Sequence, residues 1–153
     1  MIRKMKRADF SKVNEIFWEV QDLHVEGRPD IFISKDPCPL DRFNERMHSR
    51  NTIKLVSIDD KKEVTGFLFA EVLTIGGDIT HKRKIIAIHE IGVSKINRGT
   101  GFGTELFNEI KKIAKEKNCC DTTLSVWQFN ENAIRFYKKM GMNIQSLRME
   151  IKI

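Results

Sequence analysis

A chain of 153 residues with 41% hydrophobic and 31% charged residues has the make-up of one ordinary folded domain. That balance excludes a disordered, collagenous or disulfide-scaffold protein. Lys and Arg outnumber Asp and Glu by 27 to 21, and the net charge of +6 favours an anionic partner. Apolar runs such as Ile85 to Ile88 and Phe67 to Ala70 are far shorter than the ~18 residues of a membrane helix. The basic start MIRKMKR is followed by Asp9, Ser11, Lys12 and Asn14, where a signal peptide would be apolar, so no membrane or secretory role is expected. The basic residues are scattered among acids, with one Tyr and two Trp for stacking, which argues against nucleic acid.

In chain order, a short strand is expected near Ile2 to Met5. Val13, Ile16, Phe17, Val20 and Leu23 then recur at helical spacing, with Asp9 as the expected N-cap. Pro29, Pro37 and Pro39 interrupt regular structure before a second short helix from Leu40 to about Ser49. Thr52 to Ile58 and Val64 to Thr74 read as a hairpin around Asp59-Asp60-Lys61-Lys62, and Ile85 to Val93 as a third strand of the set. Leu106, Phe107, Ile110, Ile113 and Ala114 mark an amphipathic helix after Gly103. A strand over Thr122 to Trp127, a helix over Ala133 to Met140 ended by Gly141, and a last strand over Ile144 to Ile151 complete the chain. The layout is α/β (α+β), one domain over residues 1–153. Cys38, Cys119 and Cys120 cannot pair evenly, which fits reduced thiols and a cytoplasmic setting. His24, His48, His81 and His89 lack paired ligand spacing, so no metal is expected.

Arg98-Gly99-Thr100-Gly101-Phe102-Gly103-Thr104 lies between a strand and an amphipathic helix, where backbone amides and the positive helix end gather to hold phosphate. Thr104 and Leu106 stand where a dinucleotide fingerprint needs its last glycine, and no Gly-Lys-Ser/Thr ending makes a P-loop. What remains is Arg-x-x-Gly-x-Gly. Some thirty residues on, Asn130-Glu131-Asn132-Ala133-Ile134-Arg135-Phe136-Tyr137-Lys138-Lys139-Met140-Gly141-Met142 follows. With Glu90-Ile91-Gly92-Val93 before the turn, residues 85 to 145 resemble the GNAT superfamily of acyl-CoA-dependent N-acyltransferases. Met142 departs from the family's final aromatic and keeps its apolar character.

The resemblance implies a central mixed, mostly antiparallel sheet of about six or seven strands flanked by about four helices. It implies acetyl-CoA as co-substrate, with its pyrophosphate on the amides of Gly99, Thr100, Gly101, Phe102, Gly103 and Thr104 assisted by Arg98. The pantetheine arm would pair with the main chain of Ile91, Gly92 and Val93, with Asn130, Asn132 and Lys139 as further contacts. It also implies that Tyr137 protonates the leaving thiolate and that an acidic residue before the cofactor strand, here Glu90, takes the amine proton. His89 and Glu90 are neighbours on a strand, so alternation sends them to opposite faces and only one can reach the cleft. A main-chain N–H of Ile91 or Val93 would face the oxyanion. The amine pocket is expected roughly between Asp22 and Arg50, a stretch including His24, Glu26, Arg28, Asp30 and Phe32, with nearly balanced charge rather than the acidic trough a polycation needs. The implied function is acetyl transfer from acetyl-CoA to a primary amine, of a small molecule, by direct attack in a ternary complex. Alternatives are a protein N-terminal or lysine acetyltransferase, or a coenzyme A-binding module without catalysis. The partner is the amine acceptor, and a homodimer is compatible with all of these.

Overall fold

The computed structural model describes all 153 residues. β1 (Ile2–Lys4) leads through a 3-10 turn into α1 (Phe10–Gly27), and α2 (Leu40–His48) follows the proline-rich loop. Three long strands come next, β2 (Thr52–Ile58), β3 (Val64–Ile75) and β4 (Arg83–Val93). The chain then runs through α3 (Phe102–Glu116), β5 (Asp121–Thr123) and α4 (Glu131–Lys139). The sheet order is β1-β2-β3-β4-β5, antiparallel throughout except for the parallel β4–β5 pair. No helix is long and apolar enough to cross a membrane.

Strand alternation builds a core on each face of the sheet. Val56, Phe67 and Phe69 point to one side, where Val13, Ile16 and Phe17 of α1 and Phe43 of α2 meet them. Leu55, Leu68, Ala70, Ile86 and Ile88 point to the other and bury Leu106, Phe107 and Ile110 of α3. Lys54 on β2 ties α2 down: its Nζ donates to the main-chain carbonyls of Arg46, Met47 and Ser49 at 3.2, 3.0 and 2.6 Å. Those carbonyls have no partner further along the helix, and a cation at the negative helix end is favourable.

Three sequence expectations need correction. Asp9 does not cap α1 with its side chain; its carboxylate accepts from the Arg3 guanidinium at 2.7 and 2.8 Å and from the Lys6 N–H at 2.7 Å. The strand expected over Thr122 to Trp127 stops at Thr123, and the last strand over Ile144 to Ile151 does not form. The sheet therefore has five strands instead of six or seven. The alternating apolar pattern that suggested the last strand finds no ladder: Leu147, Met149 and Ile151 stay exposed. Ion pairs of Arg28 with Glu150 and Asp30 with Lys152 attach this tail to the end of α1 and its following loop.

Candidate active site

The defining feature of the site is the split between β4 and β5. β4 is laddered to β3 as far as Val93, but it pairs with β5 only over Ile85–Ala87. From Ile88 onward that edge is open. The N–H of Ser94 donates to the Thr65 carbonyl, so residues 94, 92 and 90 turn their main-chain groups toward β3. Ile91 and Val93 therefore present theirs to the opening, and the Val93 carbonyl accepts from Arg98 Nε at 3.1 Å. Gly92 has a packing reason to be glycine. A Cβ there would lie 2.9 Å from the Phe67 ring and 3.1 Å from Ile16, so its absence seats α1 on the sheet rather than clearing room for a ligand.

The open edge runs into the glycine turn. Gly99 and Gly101 have φ of +80° and +104°, in the left-handed region that side chains avoid, and Gly101 is the residue from which α3 starts. The Glu105 N–H is already bonded to the Gly101 carbonyl, so the unused amides are those before it in the first turn. Thr100 Oγ1 donates to the Asn97 carbonyl and closes the turn. The half-exposed Arg98 bridges the end of β4 and Glu19 of α1, whose carboxylate is 3.6 Å away. Phe102 and Thr104 lie in the first turn of α3, and the Phe136 ring is 3.5 Å from where a Gly103 Cβ would be.

α4 flanks the opening. Asn130 caps it, with Oδ1 accepting from the Ala133 N–H at 3.2 Å. Asn132 accepts from the Arg135 guanidinium, and Lys139 ends the helix exposed. Tyr137 packs with Phe136 and Phe107 in the same apolar cluster as Ile91 and Val93. Burial pushes its phenol up to about 12. Its hydroxyl has no partner within the protein, yet the only sealed side-chain polar atom lacking one is Asn14 Oδ1, so the hydroxyl keeps a path to solvent.

The expectation that His89 and Glu90 face opposite sides fails. A β-bulge sets Phe69 opposite Glu90 but Ala70 opposite Ile88, leaving His89 as the extra residue. Ile88 and Ile91 both join the α3-side core, while His89 and Glu90 both line a cleft of about 330 Å³ on the α2 side. Arg42, Arg46, Thr52 and Phe69 complete that cleft. Glu90 is held by Arg46 in a two-pronged pair of 2.7 and 2.6 Å, and Arg46 also lies over the Phe69 ring at 5.0 Å. Burial alone would lower the Arg46 pKa, but the bond to Glu90 outweighs it and raises it. His89 Nε2 is 3.4 Å from Glu71.

Of the stretch from Asp22 to Arg50 expected to shape the amine pocket, Arg42 and Arg46 line this cleft. His24 and Phe32 instead stack with each other and close with Trp127 and Phe129, and Arg28 and Asp30 hold the C-terminal tail. The spacing of Arg42 and Arg46, four apart and so on one helix face, was the available signal for the pair. No group of three His, Cys, Asp or Glu side chains is arranged to hold a metal ion.

The parting of two parallel strands thus leaves main-chain groups of one strand unpaired beside a glycine-initiated helix. A family model for the acetyltransferase (GNAT) family matches residues 13–142, and the chain belongs to that family, an acyltransferase domain on a mixed α/β sheet. It is 42% identical over 60 residues to an uncharacterised N-acetyltransferase of Methanocaldococcus jannaschii, covering 39% of this chain and 26% of that protein. It is 31% identical over 62 residues to the thialysine N-epsilon-acetyltransferase of Bos taurus, covering 40% of this chain and 36% of that protein. The matched part therefore spans about a quarter to a third of these relatives. Among solved structures, a tetramutant of a Bacillus halodurans protein superposes with a TM-score of 0.96 at 28% identity, covering 100% of this chain and 99% of that one.

Proposed function

We propose that the protein transfers an acetyl group from acetyl-CoA to a primary amine of a small molecule, by direct attack in a ternary complex. The observation that carries this reading is the open edge of β4 running into the free amides of α3. Outward main-chain groups at Ile91 and Val93 suit a pantetheine amide, which pairs as an added strand would, with Gly92 between them. Amides from Gly99 to Thr104, with Arg98, suit the pyrophosphate. Asn130, Asn132 and Lys139 stand along α4 as further contacts. When bound, acetyl-CoA supplies the activated acyl group.

The residues then divide the work. Glu90 accepts the proton that the attacking amine must shed, since a free alkylamine with a pKa of ~10.4 is mostly protonated near neutrality. A main-chain N–H of Ile91 or Val93 donates to the oxygen on which charge develops. Tyr137, kept protonated by burial, gives its proton to the departing sulfur. Cys119 and Cys120 stay out of the reaction, and three unpaired thiols fit a reducing, cytoplasmic setting. The cleft of about 330 Å³ favours a small acceptor over a protein chain.

Thiol release from acetyl-CoA, followed across a panel of amines, tests the proposal. Turnover that survives replacement of both Cys119 and Cys120 by serine supports direct transfer, and a trapped acetyl-cysteine refutes it. Tight binding of acetyl-CoA with no acceptor turned over would show a binding module instead.

A further inference from the structure

The cleft beside Glu90 has a charge pattern that acetyl transfer alone does not require. Its charged lining is Arg42 and Arg46 from α2 and Glu90 from β4. Arg46 and Glu90 neutralise each other through their two-pronged pair. Glu71 on β3 is directed at His89, 3.4 Å away. Arg42 is left without a carboxylate. Its one bond runs from Nη1 to the Pro37 carbonyl at 3.2 Å, so Nε and Nη2 keep unused donors. A guanidinium fork with free N–H groups matches an oxyanion in shape and charge, and a polyamine brought to the same wall would meet it with like charge.

Resting on the proposed acetyl transfer, we infer that the acceptor is an amine that also carries an oxyanion, a carboxylate or a phosphate-like group. Arg42 holds the anion while the amine lies toward Glu90 and the open edge of β4. The pairing orients the acceptor, because Arg42 on α2 and Glu90 on β4 bound the same cleft from different elements. It also separates this site from one built for polycations, which needs an acidic wall.

The test measures kcat/KM for the full chain with saturating acetyl-CoA and matched acceptors. These are the α-amino acids, their α-amides, 2-aminoethylphosphonate with ethylamine as its match lacking the anion, and cadaverine and spermidine as polycations. The acids are expected to exceed their matches lacking the anion, and the polycations, by about tenfold or more, the effect of one charge-assisted hydrogen bond. Whether carboxylate or phosphonate ranks higher identifies the anion. In Arg42→Gln the acid-to-amide ratio is expected to fall to about twofold or less, through KM. Arg42→Lys, which keeps the charge and loses the fork, should recover part of the preference. Acids no better than amides in the unmodified protein, or a ratio that Arg42→Gln leaves intact, overturns the inference and leaves acetyl transfer standing. Failure of every amine to turn over, with acetyl-CoA bound, overturns both.

Discussion

The two sides of the open β4 edge are built from different materials. Toward α3 the groups on offer are main-chain amides, set by the glycines at 99 and 101 and by the start of a helix. Toward α2 they are side chains from elements far apart in sequence, as in the Arg46–Glu90 pair, whose members are 44 residues apart. The first kind of site needs only local conformation, and a substitution disturbs it through the backbone. The second needs the sheet to form and the bulge at His89 to turn two consecutive side chains the same way. Substitutions on the two sides should fail in different ways.

The largest effect is expected at Tyr137, which packs in the cluster on the α3 side. Tyr137→Phe keeps the ring that packs on Phe107 and removes the proton, so kcat should fall by about 100-fold or more with acetyl-CoA affinity retained. The pH profile carries a second signature. With the phenol near 12, the acid form persists, and activity should show no alkaline loss from this group below about pH 10. The sign for stability follows from the same shift: the folded-state pKa lies above the unfolded ~10, so the contribution is complete below pH 10 and is lost as pH rises toward about 12. Over that range the unmodified protein should lose stability that Tyr137→Phe keeps, so the alkaline melting curves of the two proteins should separate. An unchanged kcat in Tyr137→Phe would remove its role as acid.

Next in size is the acceptor side. Arg46→Gln leaves a mostly buried Glu90 without its partner, and Glu90→Gln does the reverse; their side chains are only 19% and 28% exposed. Each should cost about 1–3 kcal/mol in unfolding free energy, and the double variant less than the sum. Glu90→Gln should in addition lower kcat by about 100-fold if Glu90 takes the amine proton, whereas His89→Gln should cost less than about tenfold. The reverse ranking would move the base to His89.

The same division explains what could be read from the chain. The glycine turn and the helix that follows it were legible because each is written in a few consecutive residues. Thr52–Ile58 was legible as a strand because an apolar run between polar turns has one simple reading. The bulge was not: alternation assumes an unbroken ladder, and nothing in Ile88-His89-Glu90-Ile91 marks the extra residue except that Ile88 and Ile91 must both be buried on one face. Arg46 was hidden in a charge count because its partner lies on another element. The last strand was overread for the opposite reason, since an alternating segment is a strand only where a neighbour is free to pair with it.

Two glycines sharpen the comparison with smaller effects. Gly92→Ala should destabilise by about 1–2 kcal/mol through contact with Phe67 and Ile16, and leave KM for acetyl-CoA nearly unchanged. Gly101→Ala has open space for its Cβ but carries φ of +104°, so it should cost about 1 kcal/mol or more and also raise KM for acetyl-CoA by distorting the start of α3. A rise in cofactor KM at Gly92 with no loss of stability would give that residue the ligand-clearing role instead.

The smallest effect is expected far from either side, at the tail. Residues 145–153 cover none of the buried core, and Arg28, Asp30, Glu150 and Lys152 join in ion pairs open to solvent. Arg28 also lies over the Trp127 ring, at 5.6 Å, a contact that does not involve Glu150. Exposed pairs give back in side-chain entropy and salt screening most of what they gain in attraction. Deleting residues 145–153 should therefore shift Tm by less than about 2 °C, with the shift vanishing at 1 M salt, where the Debye length is ~3 Å. Loss of the exposed Leu147, Met149 and Ile151 should leave the cofactor and acceptor kinetics as they were. A large fall in Tm that depends on protein concentration would instead mean that the alternating apolar face finds its partner strand in a second copy of the chain.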